Sequence, residues 1–137
     1  MIAVVDANIA AALFLDLAYS DRARNAVADA TEIIAPDLIH AELANTLWKL
    51  ITSKRVNAAF ARQVLKGLSS VVSEFVSGEA LAGEAVEHAS ALGHPAYDCF
   101  YFALARQRDA KLFTADRRFA AVLRRADPAI DHEFVAG

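Results

Sequence analysis

Four acidic residues lie beside apolar sequence: Asp6 after Ile2-Ala3-Val4-Val5, Glu42 before Leu43, Asp98 ahead of Cys99-Phe100-Tyr101-Phe102, and Asp116 after Leu112-Phe113-Thr114-Ala115. Carboxylates gathered in one place repel one another and hold on to their protons unless a cation neutralises them. A hard divalent ion suits them. Mg²⁺ or Mn²⁺ takes oxygen ligands, and more than two carboxylates can hold one or two ions arranged for attack on a phosphodiester. Each acid also has an ordinary reading: Asp6, Asp98 and Asp116 as helix caps, Glu42 as a solvated side chain. Asn8 and Thr114 are turn formers by type, and they could also orient the site from behind the acids. Arg117 and Arg118, next to Asp116, are the local candidates for holding phosphates. His40 and His94 read as structural or exposed, and Cys99 as a small buried residue.

These acids need elements to carry them. Ile2–Val5 is a β-branched run that delivers Asp6 into a strand-to-helix turn, with a helix over residues 9–15. Ser20 or Asp21 caps a second helix reaching about Asp29, and residues 32–35 form a strand stopped by Pro36. Asp37 is the expected N-cap of a longer helix. It carries Ile39, Leu43, Leu47, Leu50 and Ile51 on one face and Glu42, Asn45, Thr46 and Lys49 on the opposite stripe. Asn57 caps a helix through Phe60, Val64, Leu65 and Leu68, residues 71–76 read as a strand closed by Ser77-Gly78, and residues 79–92 as a helix stopped at Gly93. The stretch 97–105 is apolar nearly all round, which suits a buried helix, and the run before Asp116 suits a buried strand. A closing helix over residues 116–126, a break at Pro128 and an edge strand over residues 130–135 complete the chain. Trp48, Phe60 and Phe75 read as core, with a helix-lined partner groove as the alternative. Strands separated by helices predict a parallel sheet covered on both faces, where Asp6 and Asp116 meet at one edge if their strands are neighbours.

At 137 residues the chain is one domain's worth, residues 1–137, long enough to bury roughly two-thirds of its unfolded surface. Hydrophobic residues make up 56%, which predicts a large core and an apolar partner surface. The uncharged opening run, residues 7–15, falls far short of the ~20 residues of a bilayer span, so neither membrane segment nor signal peptide is expected. A single cysteine and four scattered histidines offer no internal disulfide and no zinc spacing, which fits a reducing cytoplasm. With 14 Lys+Arg against 17 Asp+Glu, the chain is not a generally basic nucleic-acid binder, and any phosphate site must be local.

Taken together, Val4-Val5-Asp6-Ala7-Asn8, His40-Ala41-Glu42-Leu43-Ala44-Asn45-Thr46-Leu47, Tyr97-Asp98-Cys99-Phe100-Tyr101-Phe102-Ala103-Leu104-Ala105 and Leu112-Phe113-Thr114-Ala115-Asp116-Arg117-Arg118-Phe119 resemble PIN-domain ribonucleases, and among these the VapC-type toxins. The resemblance spans the whole chain in the family's order. It implies an α/β fold, three layers α/β/α around a central, mainly parallel sheet of four to five strands. It also implies Mg²⁺ or Mn²⁺ dependence and cleavage of single-stranded regions of RNA, leaving 5′-phosphate and 3′-hydroxyl ends. Asp6, Glu42, Asp98 and Asp116 fall on the family's acidic positions and would hold one or two ions. Homodimers and neutralisation by a small antitoxin that packs on the helices and reaches the active site are implied as well, as in a type II toxin–antitoxin pair. Asn8 stands where many members carry serine or threonine, and Cys99 where alanine is common, and neither departure removes an acid. A haloacid-dehalogenase-like phosphatase would want an aspartate at Asn8, and a receiver domain paired acids after its first strand and a late lysine. The remaining alternative is a catalytically silent PIN scaffold that only binds a partner, against which the intact set of four acids argues.

Overall fold

The computed structural model describes residues 1–126 and 129–136. In chain order these form β1 (Ile2–Val5), α1 (Ala7–Phe14), α2 (Ser20–Val27), β2 (Glu32–Pro36), α3 (Ile39–Thr52), α4 (Ala58–Val71), β3 (Glu74–Val76), α5 (Gly78–Leu92), α6 (Ala96–Arg108), β4 (Lys111–Thr114), α7 (Arg117–Arg124) and β5 (His132–Phe134). The five strands make one sheet in the order β3-β2-β1-β4-β5, and every pairing is parallel. The chain thus builds outward from β1 to β3 and then returns to add β4 on the other side of β1. The gap between β1 and β4 is the switch point where open α/β sheets place their ligands.

A parallel sheet has to be covered on both faces, and the two-residue alternation of its strands divides the core accordingly. Ala3, Val5, Ala35 and Phe113 face one core with buried residues of α1, α3 and α4, among them Ile9, Leu43, Leu47 and Leu68. Val4, Ile34 and Leu112 face the other, with Leu81 of α5, Tyr101, Phe102 and Leu104 of α6, and Phe119 and Leu123 of α7. The result is three layers, α/β/α. No helix among the described residues is long and apolar enough to cross a membrane.

Local chemistry fixes most element ends as the residue types require. Asn57 caps α4 by accepting from the Phe60 N–H at 2.8 Å, and Gly93 ends α5 at φ 64°, a backbone region that favours glycine. Several expectations need correcting. Asp37 does not cap α3; its carboxylate accepts from the Gly78 N–H at 3.0 Å, tying the end of β2 to the start of α5, and Leu38 precedes α3 without a side-chain cap. Neither Ser20 nor Asp21 caps α2. The Ser20 hydroxyl instead accepts from the Leu17 N–H at 2.8 Å and donates to the Leu15 carbonyl at 2.7 Å, closing the turn after α1. Pro36 is the last residue of β2, past the rungs that pair β2 with β1. Val71 ends α4, and β3 is only Glu74–Val76, because Val64, Leu68 and Val72 follow the helical period into the core.

The closing helix ends at Arg124 rather than at residue 126, and the break expected at Pro128 lies outside the described residues. Trp48 and Phe60 are not core, at 59% and 38% exposed. Burying Ile39, Leu43 and Leu47 turns Trp48 to the outside of α3. Phe75 is half-buried with its ring 4.5 Å from that of His40.

Candidate active site

Because β1 and β4 pair directly, the residues that follow them leave one edge of the sheet together. The Asp6 N–H donates to the Phe113 carbonyl at 3.3 Å, which extends the pairing by one rung. Asp6 then caps α1, its Oδ1 accepting from the Ile9 N–H at 2.9 Å. Asp116 caps α7, its Oδ1 accepting from the N–H groups of Arg118 at 2.8 Å and Phe119 at 3.2 Å. Fully buried Thr114 ties the two turns together. Its hydroxyl donates to Asp6 Oδ2 at 2.5 Å and accepts from the Asp116 N–H at 3.0 Å. Capping and membership of a site are therefore compatible roles, since the strand-to-helix turn is what aims each carboxylate.

Two helices carry the other acids. Glu42 lies in the first turn of α3 and Asp98 in the first turn of α6, near the positive ends of the helix dipoles. Asp98 sits inside the helix and does not cap it; Pro95 holds that position. All four acids line one cleft of about 400 Å³, with Asn8, Lys49 and Tyr97 on its walls.

The cleft is short of positive charge. Among the described residues, no lysine or arginine forms an ion pair with any of the four. Burial pushes the Asp6 carboxyl up from 3.8 to about 6, against the pull of its bonds from Thr114, Ile9 and Ala115. Burial likewise raises Glu42 and Asp98, opposed in Glu42 by the Tyr101 hydroxyl and in Asp98 by His94. The Asp98 charge adds to the rise at both Asp6 and Glu42, and that of Asp116 adds to the rise at Asp98. Asp98 is thus electrostatically linked to the other three.

The donor set fits a hard cation in its chemistry. It is all oxygen, three of its four members are held above their ordinary carboxylate range, and among the described residues no lysine or arginine is paired with it. The fit is not one of preformed coordination. Among the described residues, no three His, Cys, Asp or Glu side chains are drawn close enough to chelate an ion as they stand. Each acid is instead satisfied by its own protein donor: Thr114 and Ile9 for Asp6, Tyr101 for Glu42, His94 for Asp98, and the α7 amides for Asp116.

Of the other residues singled out from the sequence, Asn8 lies in the cleft and accepts a long 3.4 Å bond from the Thr46 hydroxyl. Arg117 and Arg118 are exposed in the first turn of α7, the Arg117 guanidinium 5.0 Å from the centre of the Phe134 ring. Cys99 is buried and its thiol is pushed up to about 11, which removes it as a nucleophile. Sequence reasoning set His94 aside and read Tyr101 only as part of an apolar helix, yet both bond directly to cleft acids. For His94 the available signal was its place four residues before Asp98, whereas nothing local marks Tyr101, whose partner Glu42 lies 59 residues away. Lys49, two turns after Glu42 on the same stripe, was visible in the same way as His94.

A family model described as PIN domain matches residues 3–124. The chain is 35% identical over 123 residues to Ribonuclease VapC3 of Pyrobaculum aerophilum, spanning 85% of this chain and 91% of that protein. Among solved structures, PAE2754 from Pyrobaculum aerophilum matches with a TM-score of 0.67 at 27% identity, over 96% of this chain and 92% of that one. VapBC2 from Rickettsia felis, bound to a DNA fragment from their promoter, matches with a TM-score of 0.64 over 98% of each chain; at 18% identity this likeness is one of fold alone.

Proposed function

This chain belongs to the PIN-domain family, and on that premise we propose that residues 1–137 act as one Mg²⁺- or Mn²⁺-dependent endoribonuclease domain. The substrate is single-stranded regions of RNA, and the protein is the toxin of a type II toxin–antitoxin pair in the cytoplasm. The observation that carries this reading is the set of four carboxylates on one cleft, from four separate segments, with no lysine or arginine paired to them.

Asp6, Glu42, Asp98 and Asp116 would hold one or two ions through oxygen. When bound, such ions neutralise charge on the phosphate and make water a stronger nucleophile at neutral pH. Thr114 keeps Asp6 turned toward the neighbouring strand end, and Asn8 stands beside it in the cleft. Lys49 on the cleft wall, and Arg117 and Arg118 in the first turn of α7 after Asp116, would meet the RNA backbone. On a chain of net charge −3 they would matter more than on a basic one.

The partner side of the reading, a cognate antitoxin and a second copy of the chain, draws on exposed apolar surface. A groove of about 980 Å³ is lined by Phe14, Leu17, Leu50, Ile51, Val56 and Phe60, at the far ends of α1 and α3, two of the helices that start at the cleft. From Glu42 to Leu50 along α3 is about 12 Å by helical rise. A peptide seated in the groove therefore needs only a few residues to reach the acids.

The test is incubation of purified protein with total RNA and with a single-stranded oligoribonucleotide, in Mg²⁺, Mn²⁺ or chelator. Cleavage with either ion and none in chelator is expected, with product ends carrying 5′-phosphate. Equal cleavage in chelator, or no cleavage of any RNA with either ion, overturns the reading.

A further inference from the structure

Behind the acids lie two side chains whose polar atoms are committed to them. Tyr101 of α6 is 0% exposed, and its hydroxyl crosses to α3 to donate to Glu42 Oε1 at 2.7 Å. His94, in the turn before α6, brings Nε2 within 2.7 Å of Asp98 Oδ2, and its ring stacks on Phe119 at 5.3 Å with 16° between the planes. A buried hydroxyl or imidazole costs free energy unless it is hydrogen-bonded. Tyr101 lies in an otherwise apolar layer with Phe102, Leu104 and Phe119, and half-buried His94 stacks on Phe119, so phenylalanine or leucine would fill either space without that cost. Packing therefore accounts for the rings and not for the polar atoms. Each bond occupies one carboxylate oxygen and leaves its twin without a protein donor among the described residues.

We infer that Tyr101 and His94 are positioning residues that set the directions in which Glu42 and Asp98 present their free oxygens to a divalent cation. The inference rests on the metal-dependent reading above and deepens it. Both act from one segment, so α6 and its leading turn orient an acid of their own and an acid of α3 on the opposite side of the sheet. Donors behind ligands tune affinity without touching the ion, and losing one costs about 10- to 100-fold in metal affinity or activity.

Mn²⁺ binding to purified protein, followed by the loss of the free-ion electron paramagnetic resonance signal, tests this without reference to turnover. Tyr101→Phe and His94→Leu should each weaken Mn²⁺ binding about 10-fold or more. They should lower kcat comparably and leave the KM for RNA near wild type. His94→Gln returns an N–H near the Nε2 position and should recover most of the affinity, which a purely structural role would not produce. Tyr101→Phe changes one atom and carries the test alone if His94→Leu fails to fold. If Tyr101→Phe and His94→Leu bind Mn²⁺ within about twofold of wild type while Asp98→Asn loses binding, the positioning role is wrong and the ribonuclease reading stands. Wild-type binding by Asp98→Asn as well would remove both.

Discussion

The two ends of the sheet treat their acids in opposite ways. Where the strands begin, Glu74 opens β3 and is gripped by the Arg108 guanidinium through bonds of 2.8 and 2.5 Å, while Lys111 opens β4 and pairs with Glu133 at 3.2 Å. The Arg108 bond holds Glu74 below its ordinary range. Where the strands end, burial holds Asp6, Glu42 and Asp98 above theirs, each pushed further by the charge of another acid, with only His94 pulling Asp98 the other way. A paired surface acid is satisfied by the fold. A desolvated cluster of acids is a standing cost to it, of the kind that persists at functional sites because a ligand relieves it.

The hardest blow to that contrast comes from Asp98, linked electrostatically to the other three acids. Asp98→Asn nearly conserves shape and should reduce RNA cleavage by at least about 100-fold, more than the loss of a supporting donor. In chelator the variant should melt higher than wild type, because a charge held above its ordinary pKa is removed. Added Mg²⁺ or Mn²⁺ should then stabilise it less than wild type. Thermal melts in chelator and in metal at constant ionic strength check both; a variant that melts lower by the same amount in each buffer makes Asp98 a helix-end residue and nothing more.

The next effect concerns pH. Folded Asp6 keeps its proton to about pH 6, whereas an ordinary aspartate carboxyl releases it near 3.8. Between these values the native state binds more protons than the unfolded one, so metal-free stability falls as pH rises, by up to about 3 kcal/mol from this group. Denaturant melts of wild type and Asp6→Asn across pH 4 to 7 isolate it; parallel curves would show that Asp6 is not desolvated.

A smaller change belongs to the rim. Arg117→Glu with Arg118→Glu should weaken RNA binding and flatten its salt dependence by about 0.7 per lost phosphate contact. The measurement uses the Asp98→Asn background to prevent cleavage, and an unchanged slope would send the RNA elsewhere. The smallest effect is expected at the opposite end of the sheet, where Glu74→Gln should leave cleavage unchanged and the melting temperature nearly so. The pair is partly exposed and its gain is screened by salt. Its sign is also opposite to that of Asp6: Glu74 adds stability above the ordinary glutamate range and loses it as pH falls. A large loss of activity in Glu74→Gln would erase the distinction between the two ends.

What the sequence by itself determined is what local chemistry encodes. The β-branched run of β1, the helical stripe of Ile39, Leu43 and Leu47, the Asn57 cap and the Gly93 stop are set by neighbours within a few residues. So is the presence of an acid after each of two buried strands. Tertiary structure decided the rest. Neighbouring positions for β1 and β4 bring Thr114 to Asp6 across 108 residues, and the packing of α6 brings Tyr101 to Glu42 across 59. Asp37 and Ser20 left the capping positions their types suggest because better partners came within reach, at Gly78 and at Leu17 and Leu15. Trp48 lies outside because the buried stripe of α3 leaves no room for it on the inner face. Side-chain type and period are properties of a short window of chain, whereas the partner of a buried polar atom is chosen by strand order and packing, which no short window contains.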